Sequence, residues 1–526
     1  MTKTALHCLF AFTFVASSLA TAISSAAIAS APGHPPLNYK FGVATHFSHK
    51  TRWMKPWDAE KHIPMIAALG VGWIRDEITW LDTEPVRSQY RVSENTLKWI
   101  NLANAHGLKV IVSFNGNTAF GNNTPHYEDP WDPNAYAKAA AWLARELNGK
   151  IHAIEILNEP FGSYAKAFTG DGPVNWTGLE PDGSESPWLA KYVTLLNTAA
   201  DAIKAANPRM AVIGLGNITP QNYRQLAMGV SRSVDGITDH PYNFHVPAPE
   251  ILPHPGNRTY RNRVGFNVAD AEGTFASWIR MYREHSQKHN GPSQIWLTES
   301  GWSTYREGKK GWKSIYPGVS ELTQACYSQR RLVEGLALGV EVNILYTFLD
   351  NYGRASRGDS GTLDPEQNFG LVRQGDVLKP AYHAVQSVAR TTIGFTPGND
   401  IQIKVTPFSD RTDDSGLIGI DKPRNWHGSK ALPPLKRIMS YPFTDGDGLP
   451  VFAVWSAERI NDLNIRAADI EFAVAPGKFT VELTDLMTGE TSTPATARVN
   501  GHLVLQSLGV PDYPILLRLR PVTVSQ

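Results

Sequence analysis

Cysteine is almost missing from this 526-residue chain, which has only Cys8 and Cys326. Cys8 lies in an N-terminal segment expected to be removed, so no intrachain disulfide can form and the fold must rest on a large apolar core. Cys326, in Ala325-Cys326-Tyr327, falls inside a helical pattern and not at a helix start, and reads as a core residue instead of a nucleophile. An excess of one charge is missing too: 50 Lys and Arg stand against 49 Asp and Glu, a net charge of +1. That balance excludes a general attraction to nucleic acid or to anionic lipid, and no nucleic-acid partner is expected.

Several catalytic signatures are absent. The first strand pattern, Phe41-Gly42-Val43-Ala44-Thr45-His46, lacks the glycine spacing of a dinucleotide loop, and no Walker pattern occurs, so no cofactor is expected. The 16 histidines include no HExxH pair, and His240, His245 and His254 lack ligand spacing, so no metal is expected. A GxSxG elbow is also lacking. Beyond the N-terminus no apolar run is long enough to span a membrane.

Aromatic side chains are plentiful. With 15 Trp, 18 Tyr and 20 Phe, and only 19% charged residues, the composition is too rich in core formers for disorder. At the N-terminus Lys3 precedes an apolar stretch from Ala5 to Ala16 and then Ala27-Ile28-Ala29. Residues 1–29 read as a signal peptide cleaved before Ser30, which sends the chain to the periplasm or the exterior. Ser and Thr interrupt the run, and it is short for a span of about 20 residues, which argues against an anchor.

From about residue 39 short β-branched or aromatic runs alternate with amphipathic helical stretches. Strands are expected at 41–47, 71–78, 109–115, 151–158, 211–216, 236–242, 294–299 and 342–349. Helices are expected at 59–69, 93–106, 134–147, 188–206, 220–229, 272–289, 320–338 and 380–391. An eightfold β-then-α count predicts an α/β fold, a (β/α)8 TIM barrel over residues 36–394. A doubly wound sheet is the alternative, and it has no phosphate loop to support it. Beyond Gly394 the pattern turns to strands with turn punctuation at 401–405, 438–441, 451–455, 469–474, 479–483 and 502–505. These predict a C-terminal antiparallel β-sandwich over 397–526, with Asp410 to Lys436 as a long loop. Asp445-Gly446-Asp447-Gly448 is half a calcium loop without the distal Glu, and reads as a hairpin turn.

Two strand ends carry carboxylates: Ile154-Glu155-Ile156-Leu157-Asn158-Glu159-Pro160 closes the fourth and Ile295-Trp296-Leu297-Thr298-Glu299-Ser300-Gly301-Trp302 the seventh. Catalytic groups of a barrel come from this end of its strands. Either glutamate alone fits a cap or an ion pair equally well; two in apolar surroundings suit glycoside hydrolysis, where one carboxyl protonates the leaving oxygen and the other attacks. At this point the sequence resembles the clan A glycoside hydrolases over most of residues 39–391, nearest to families 39 and 5 and the bacterial exopolysaccharide hydrolases related to family 39. The resemblance implies a retaining mechanism without cofactor, with Glu159 as acid/base, Glu299 as nucleophile and Asn158 at the sugar 2-hydroxyl. It further implies that Arg75, ending Gly72-Trp73-Ile74-Arg75, keeps the nucleophile ionised. In Asp239-His240-Pro241-Tyr242, Tyr242 matches the tyrosine bonded to the nucleophile and His240 the nearby histidine.

Two positions depart from the clan. Strand eight, Ile344-Leu345-Tyr346-Thr347-Phe348, lacks the usual tryptophan, so Tyr346 or Phe348 must stand in, and strand three ends in Phe114-Asn115-Gly116 with Asn115 toward substrate where some families have histidine. Trp53, Trp57, Trp80, Trp131, Trp176, Trp188, Trp302 and Trp312 all fall in or beside connections at the catalytic face. As a set they predict stacking surfaces for an extended poly- or oligosaccharide, with Trp302 foremost. The expected protein is a secreted, monomeric glycoside hydrolase. Two alternatives stay open: a catalytically silent polysaccharide-binding protein, and a transglycosidase on the same scaffold.

Overall fold

The computed structural model describes residues 35–48, 57–116, 127–129, 131–162, 164–169, 176–242, 248–252, 264–305, 318–350, 365–408, 437–457, 465–475 and 477–522. The expected signal peptide, Trp53, Trp312 and the loop from Asp410 to Lys436 lie outside these residues.

Eight parallel strands close into a barrel in sequence order: β1 (Asn38–Ala44), β2 (Val71–Thr79), β3 (Lys109–Asn115), β4 (Ala153–Ile156), β5 (Ala211–Leu215), β6 (Gly236–Asp239), β7 (Gln294–Leu297) and β8 (Val342–Leu345). Helices 59–69, 94–105, 133–146, 187–206, 219–229, 275–288, 321–337 and 380–391 surround it. The helix starts are set locally. Asp58, Ser93, Asp132, Thr274 and Ser320 cap exposed backbone N–H groups, and Pro133, Pro187, Pro220 and Pro380 occupy first turns where no donor is lost.

Strand alternation sorts side chains into an outward layer against the helices and an inward set of Ala44, Trp73, Ile111, Ala153, Ile213, Trp296, Val342 and Ile344. Trp73 and Trp296 meet edge to face at 5.5 Å. Gly236 makes room for them, because a Cβ there would lie 2.4 Å from the Trp296 ring. Two residues further on come Arg75 after Trp73 and Glu155 after Ala153 within their strands, and Thr298 after Trp296 just past the end of β7. A polar layer thus sits directly on an apolar plug.

After the barrel a short hairpin, β9 (Val372–Arg373) with β10 (Val377–Leu378), precedes two antiparallel sheets. Six strands run in the order β11 (Thr396–Pro397), β13 (Ile438–Thr444), β14 (Pro450–Ser456), β20 (Ile515–Pro521), β16 (Phe479–Asp485) and β17 (Thr491–Ser492). The other sheet has β12 (Ile403–Pro407), β15 (Ile465–Phe472), β19 (His502–Pro511) and β18 (Ala497–Val499). The Asp445 turn joins β13 to β14, with its carboxylate accepting from the Asp447 and Leu449 amides, as a hairpin turn requires.

Strand β14 has no solvent face. Phe452 and Val454 pack into the sandwich core, whereas Val451, Ala453 and Trp455 join the core of the barrel. Trp455 is therefore interior packing, and it points away from the sandwich. Its ring stacks on Tyr441 at 5.4 Å and its Nε1–H donates to Glu250 at 2.7 Å. The same carboxylate receives Arg330, and both charges are fully buried.

Candidate active site

The catalytic face is built just past the ends of the ladders. β4 stops at Ile156, and the next residues leave strand geometry: Leu157 and Glu159 take φ of 65° and 43°, a left-handed backbone that costs on the order of 1–3 kcal/mol per residue. The bracing is visible. The Asn158 amide donates to Asn115 Oδ1 at 2.7 Å, and Asn115 Nδ2 donates to Glu77 at 3.0 Å. Asn115 is buried, and its contacts support the β4 turn from beneath instead of offering it to substrate as the sequence suggests.

Arg75 organises the centre. Its Nε donates to Glu155 at 2.6 Å, Nη1 to Glu299 at 2.9 Å and Nη2 to Asn158 Oδ1 at 2.7 Å. A guanidinium only donates, so the Asn158 amide is held with Oδ1 inward and Nδ2 turned elsewhere. Tyr242 donates its hydroxyl to the other Glu299 oxygen at 2.7 Å. Burial pushes Glu299 toward its neutral form, but the charges of His240 and Arg75 and the Tyr242 hydrogen bond outweigh it and hold the carboxyl below its ordinary pKa.

His240 lies between the two glutamates, with Nδ1 2.9 Å from Glu159 and 3.8 Å from Glu299. Burial opposes its charge, yet Glu299 and Glu159 lift its pKa to about 9. Its Nε2 is 3.0 Å from the Thr298 hydroxyl, which in turn donates to Glu155 at 2.8 Å. Gly301 lets this strand end run close to the next, since a Cβ would lie 2.1 Å from the Tyr346 carbonyl.

Six residues expected from sequence thus converge: Arg75, Asn158, Glu159, His240, Tyr242 and Glu299. Tyr346 stands beside them, half-buried, edge-on to Tyr242 at 6.4 Å and to Phe369 at 5.7 Å, whereas Phe348 is buried in the core. Glu155 and Thr298 were not singled out in the sequence. A Glu between two isoleucines inside a strand was the available signal for the first.

The stacking expectation needs correction. Trp302 is 5% exposed and packs on Tyr327 at 5.5 Å, next to Cys326, so it fills the space behind the β7 loop. Trp57, Trp80, Trp131 and Trp188 are buried as well, and Trp176 alone of those described is half-buried. Trp57, Trp80, Trp131 and Trp188 extend the main core of the barrel into its connections, and Trp302 belongs to a small cluster with Cys326 and Tyr327. Cys326 is buried, and burial pushes its thiol up to about 12, which leaves it unreactive.

Glu159, His240 and Glu299 present nitrogen and oxygen atoms within 4.8 Å of one another, a span a cation could bridge. Arg75 and His240 already supply positive charge there.

A closed barrel with this pair of glutamates after β4 and β7 has the layout of the clan A glycoside hydrolases. Residues 36–246 match the model of the family described as Cellulase (glycosyl hydrolase family 5), which is consistent with that clan and supports a glycosyl hydrolase with a carbohydrate substrate. Among solved structures, the chain is similar to a family 39 glycoside hydrolase from the gut symbiont Bacteroides cellulosilyticus WH2, with 18% identity, TM-score 0.59, and 93% of this chain and 81% of that one covered. It is also similar to the catalytic domain of GH30 xylanase C from Talaromyces cellulolyticus, with 12% identity, TM-score 0.49, and 94% and 99% covered. A search of curated proteins found no match. At 18% identity the likeness to the family 39 structure shows a shared fold. Among the described residues no helix is long and apolar enough to cross a membrane.

Proposed function

We propose that the chain is a secreted, retaining glycoside hydrolase that cleaves O-glycosidic bonds of a poly- or oligosaccharide by double displacement. One observation carries the reading: carboxylate oxygens of Glu159 and Glu299 lie within 4.8 Å of each other. Retaining enzymes hold their carboxyl groups about 5–5.5 Å apart, whereas inverting ones need about 6.5–9.5 Å to admit a water.

In the first step a Glu299 oxygen attacks the anomeric carbon while Glu159 gives its proton to the departing oxygen, leaving a glycosyl ester on Glu299. In the second, Glu159 takes a proton from water, the water oxygen bonds to the anomeric carbon and Glu299 leaves as a carboxylate. Arg75 and Tyr242 stabilise the ionised nucleophile at both ends of the cycle, and Asn158 Nδ2 is free of Arg75 to meet a sugar hydroxyl. Residues 36–394 carry this chemistry as a monomer, residues 397–526 stabilise the barrel, and residues 1–29 are removed on export.

Azide rescue tests the assignment. Glu299→Ala and Glu159→Ala should each lose most hydrolysis of an aryl glycoside, and added azide should yield glycosyl azides of opposite anomeric configuration in the two variants. Wild-type rates in either variant would sink the proposal. N-terminal sequencing of the exported protein should begin at Ser30.

A further inference from the structure

The fully buried pair Glu155 and Thr298 lies beneath the two proposed catalytic glutamates and closes a hydrogen-bonded circuit. The circuit runs from Glu159 to His240, Thr298, Glu155 and Arg75, and ends on Glu299, so it joins both carboxylates of the reaction through the barrel interior. Each link has a direction. Arg75 can only donate, so Glu155 Oε2 accepts. Glu155 Oε1 receives the single hydroxyl hydrogen of Thr298, so the Thr298 oxygen is left as an acceptor facing His240 Nε2 at 3.0 Å. The Nε2 position must therefore carry a hydrogen, and the other ring nitrogen is the one turned to Glu159.

We propose that Glu155 and Thr298 are positioning residues that fix the His240 ring in the Nε2–H tautomer, so that Glu159 can hold its proton against the Nδ1 lone pair. The proposal rests on Glu159 being the acid/base. With Nε2 protonated, one further proton is shared between Nδ1 and Glu159 Oε1, and the hydrogen bond survives wherever that proton sits. With the opposite tautomer, Nδ1–H donates to Glu159 Oε1 and stabilises the carboxylate over the acid form that a leaving group needs, so the acid is lost at lower pH. The groups around this histidine are Glu159, Glu299, Arg75 and Tyr242, with Asp239 preceding it in the chain. Among them, Thr298 alone contacts Nε2 in the described residues.

Two substitutions separate this role from mere support. Thr298→Val keeps the shape and removes the acceptor. Glu155→Gln reverses the relay: its amide oxygen must face Arg75, its NH2 then donates to Thr298, and the hydroxyl hydrogen turns onto His240 Nε2. Both variants should move the neutral histidine to the Nδ1–H tautomer, read by NMR of 15N-histidine-labelled protein at a pH above about 9, where the ring has lost its extra proton, with His240→Gln as the assignment control. Thr298→Ser should restore the Nε2–H form.

On an aryl glycoside that needs leaving-group protonation, Thr298→Val should lower the alkaline limb of the kcat/KM profile by on the order of one pH unit while the acid limb stays. Glu155→Gln should cost on the order of 10²-fold in kcat with little change in KM. An unchanged His240 tautomer in both variants, or a uniform rate loss with both limbs in place, overturns the proposal. If the wild type cleaves no glycoside, the functional reading fails, and the NMR comparison still decides this one.

Discussion

Removing one oxygen atom from Tyr242 isolates how much of the acidity of Glu299, the proposed nucleophile, comes from a single hydrogen bond. In Tyr242→Phe the ring contacts to Tyr346 and Phe369 remain, while Glu299 loses a 2.7 Å donor and keeps Arg75 at 2.9 Å. A hydrogen bond to a charged group contributes about 1.5–3 kcal/mol, and one pKa unit corresponds to about 1.36 kcal/mol. The loss therefore converts to a rise of about 1 to 2 units in the pKa of Glu299. The sign follows from which form is helped: the donor stabilises the carboxylate, so without it the proton leaves at higher pH. Because attack requires the ionised form, the acid limb of kcat/KM should move up by that amount. At pH below both limbs the variant should run about 10- to 100-fold slower than wild type, and the gap should narrow as pH rises. An aryl glycoside with an acidic phenol as leaving group is the substrate of choice, since it needs little protonation by Glu159 and exposes the acid limb alone. A lower plateau with the acid limb unmoved would refute the reasoning and make Tyr242 a packing residue.

Three further outcomes are expected. Trp302→Ala should cost about 3–5 kcal/mol of stability in urea unfolding, as for other buried tryptophans, with the KM for short oligosaccharides little changed; a large KM rise at unaltered stability would return Trp302 to the substrate. Glu250→Gln leaves the Arg330 charge buried without its full counter-charge and should destabilise by about 3–5 kcal/mol, and adding Arg330→Met should recover part of that loss. Deletion of residues 397–526 should give insoluble protein, because it strips Val451, Ala453 and Trp455 from the barrel core and uncovers the apolar side chains they pack on; a soluble, active fragment would contradict it.

The barrel was legible because each of its sixteen elements has a clean period. Strand β3 and the helices at 59–69 and 380–391 fall on their expected bounds. The expected strands 151–158, 236–242, 294–299 and 342–349 each run too far, since the ladders stop at Ile156, Asp239, Leu297 and Leu345. Those overruns contain Glu159's neighbours, His240, Tyr242 and Glu299: side chains aimed into the mouth require the backbone to leave the pleat, as the positive φ of Leu157 and Glu159 shows. In the sandwich, β20 was missed. Ile515-Leu516-Leu517 is apolar on both faces, with Leu516 in the barrel core and Ile515 and Leu517 in the sandwich core, so no alternation marks it. The tryptophans misled for the opposite reason, because a ring in a connection reads the same in sequence whether it faces a cleft or seals a loop. Glu155 escaped notice because an inward glutamate on a strand has a partner only in three dimensions.

Strand β14 serves two cores at once, and that limits what recombination can do with this protein. A module that can be moved between hosts needs a polar outer face, and here the outer face of the C-terminal sheet is Val451, Ala453 and Trp455, with the Trp455 indole spending its hydrogen on Glu250. Grafting the sandwich onto another barrel would demand that the recipient supply a buried carboxylate at that point, the arginine that neutralises it and a matching apolar floor. The two halves are thus a single unit of inheritance, fused by a strand that neither can give up.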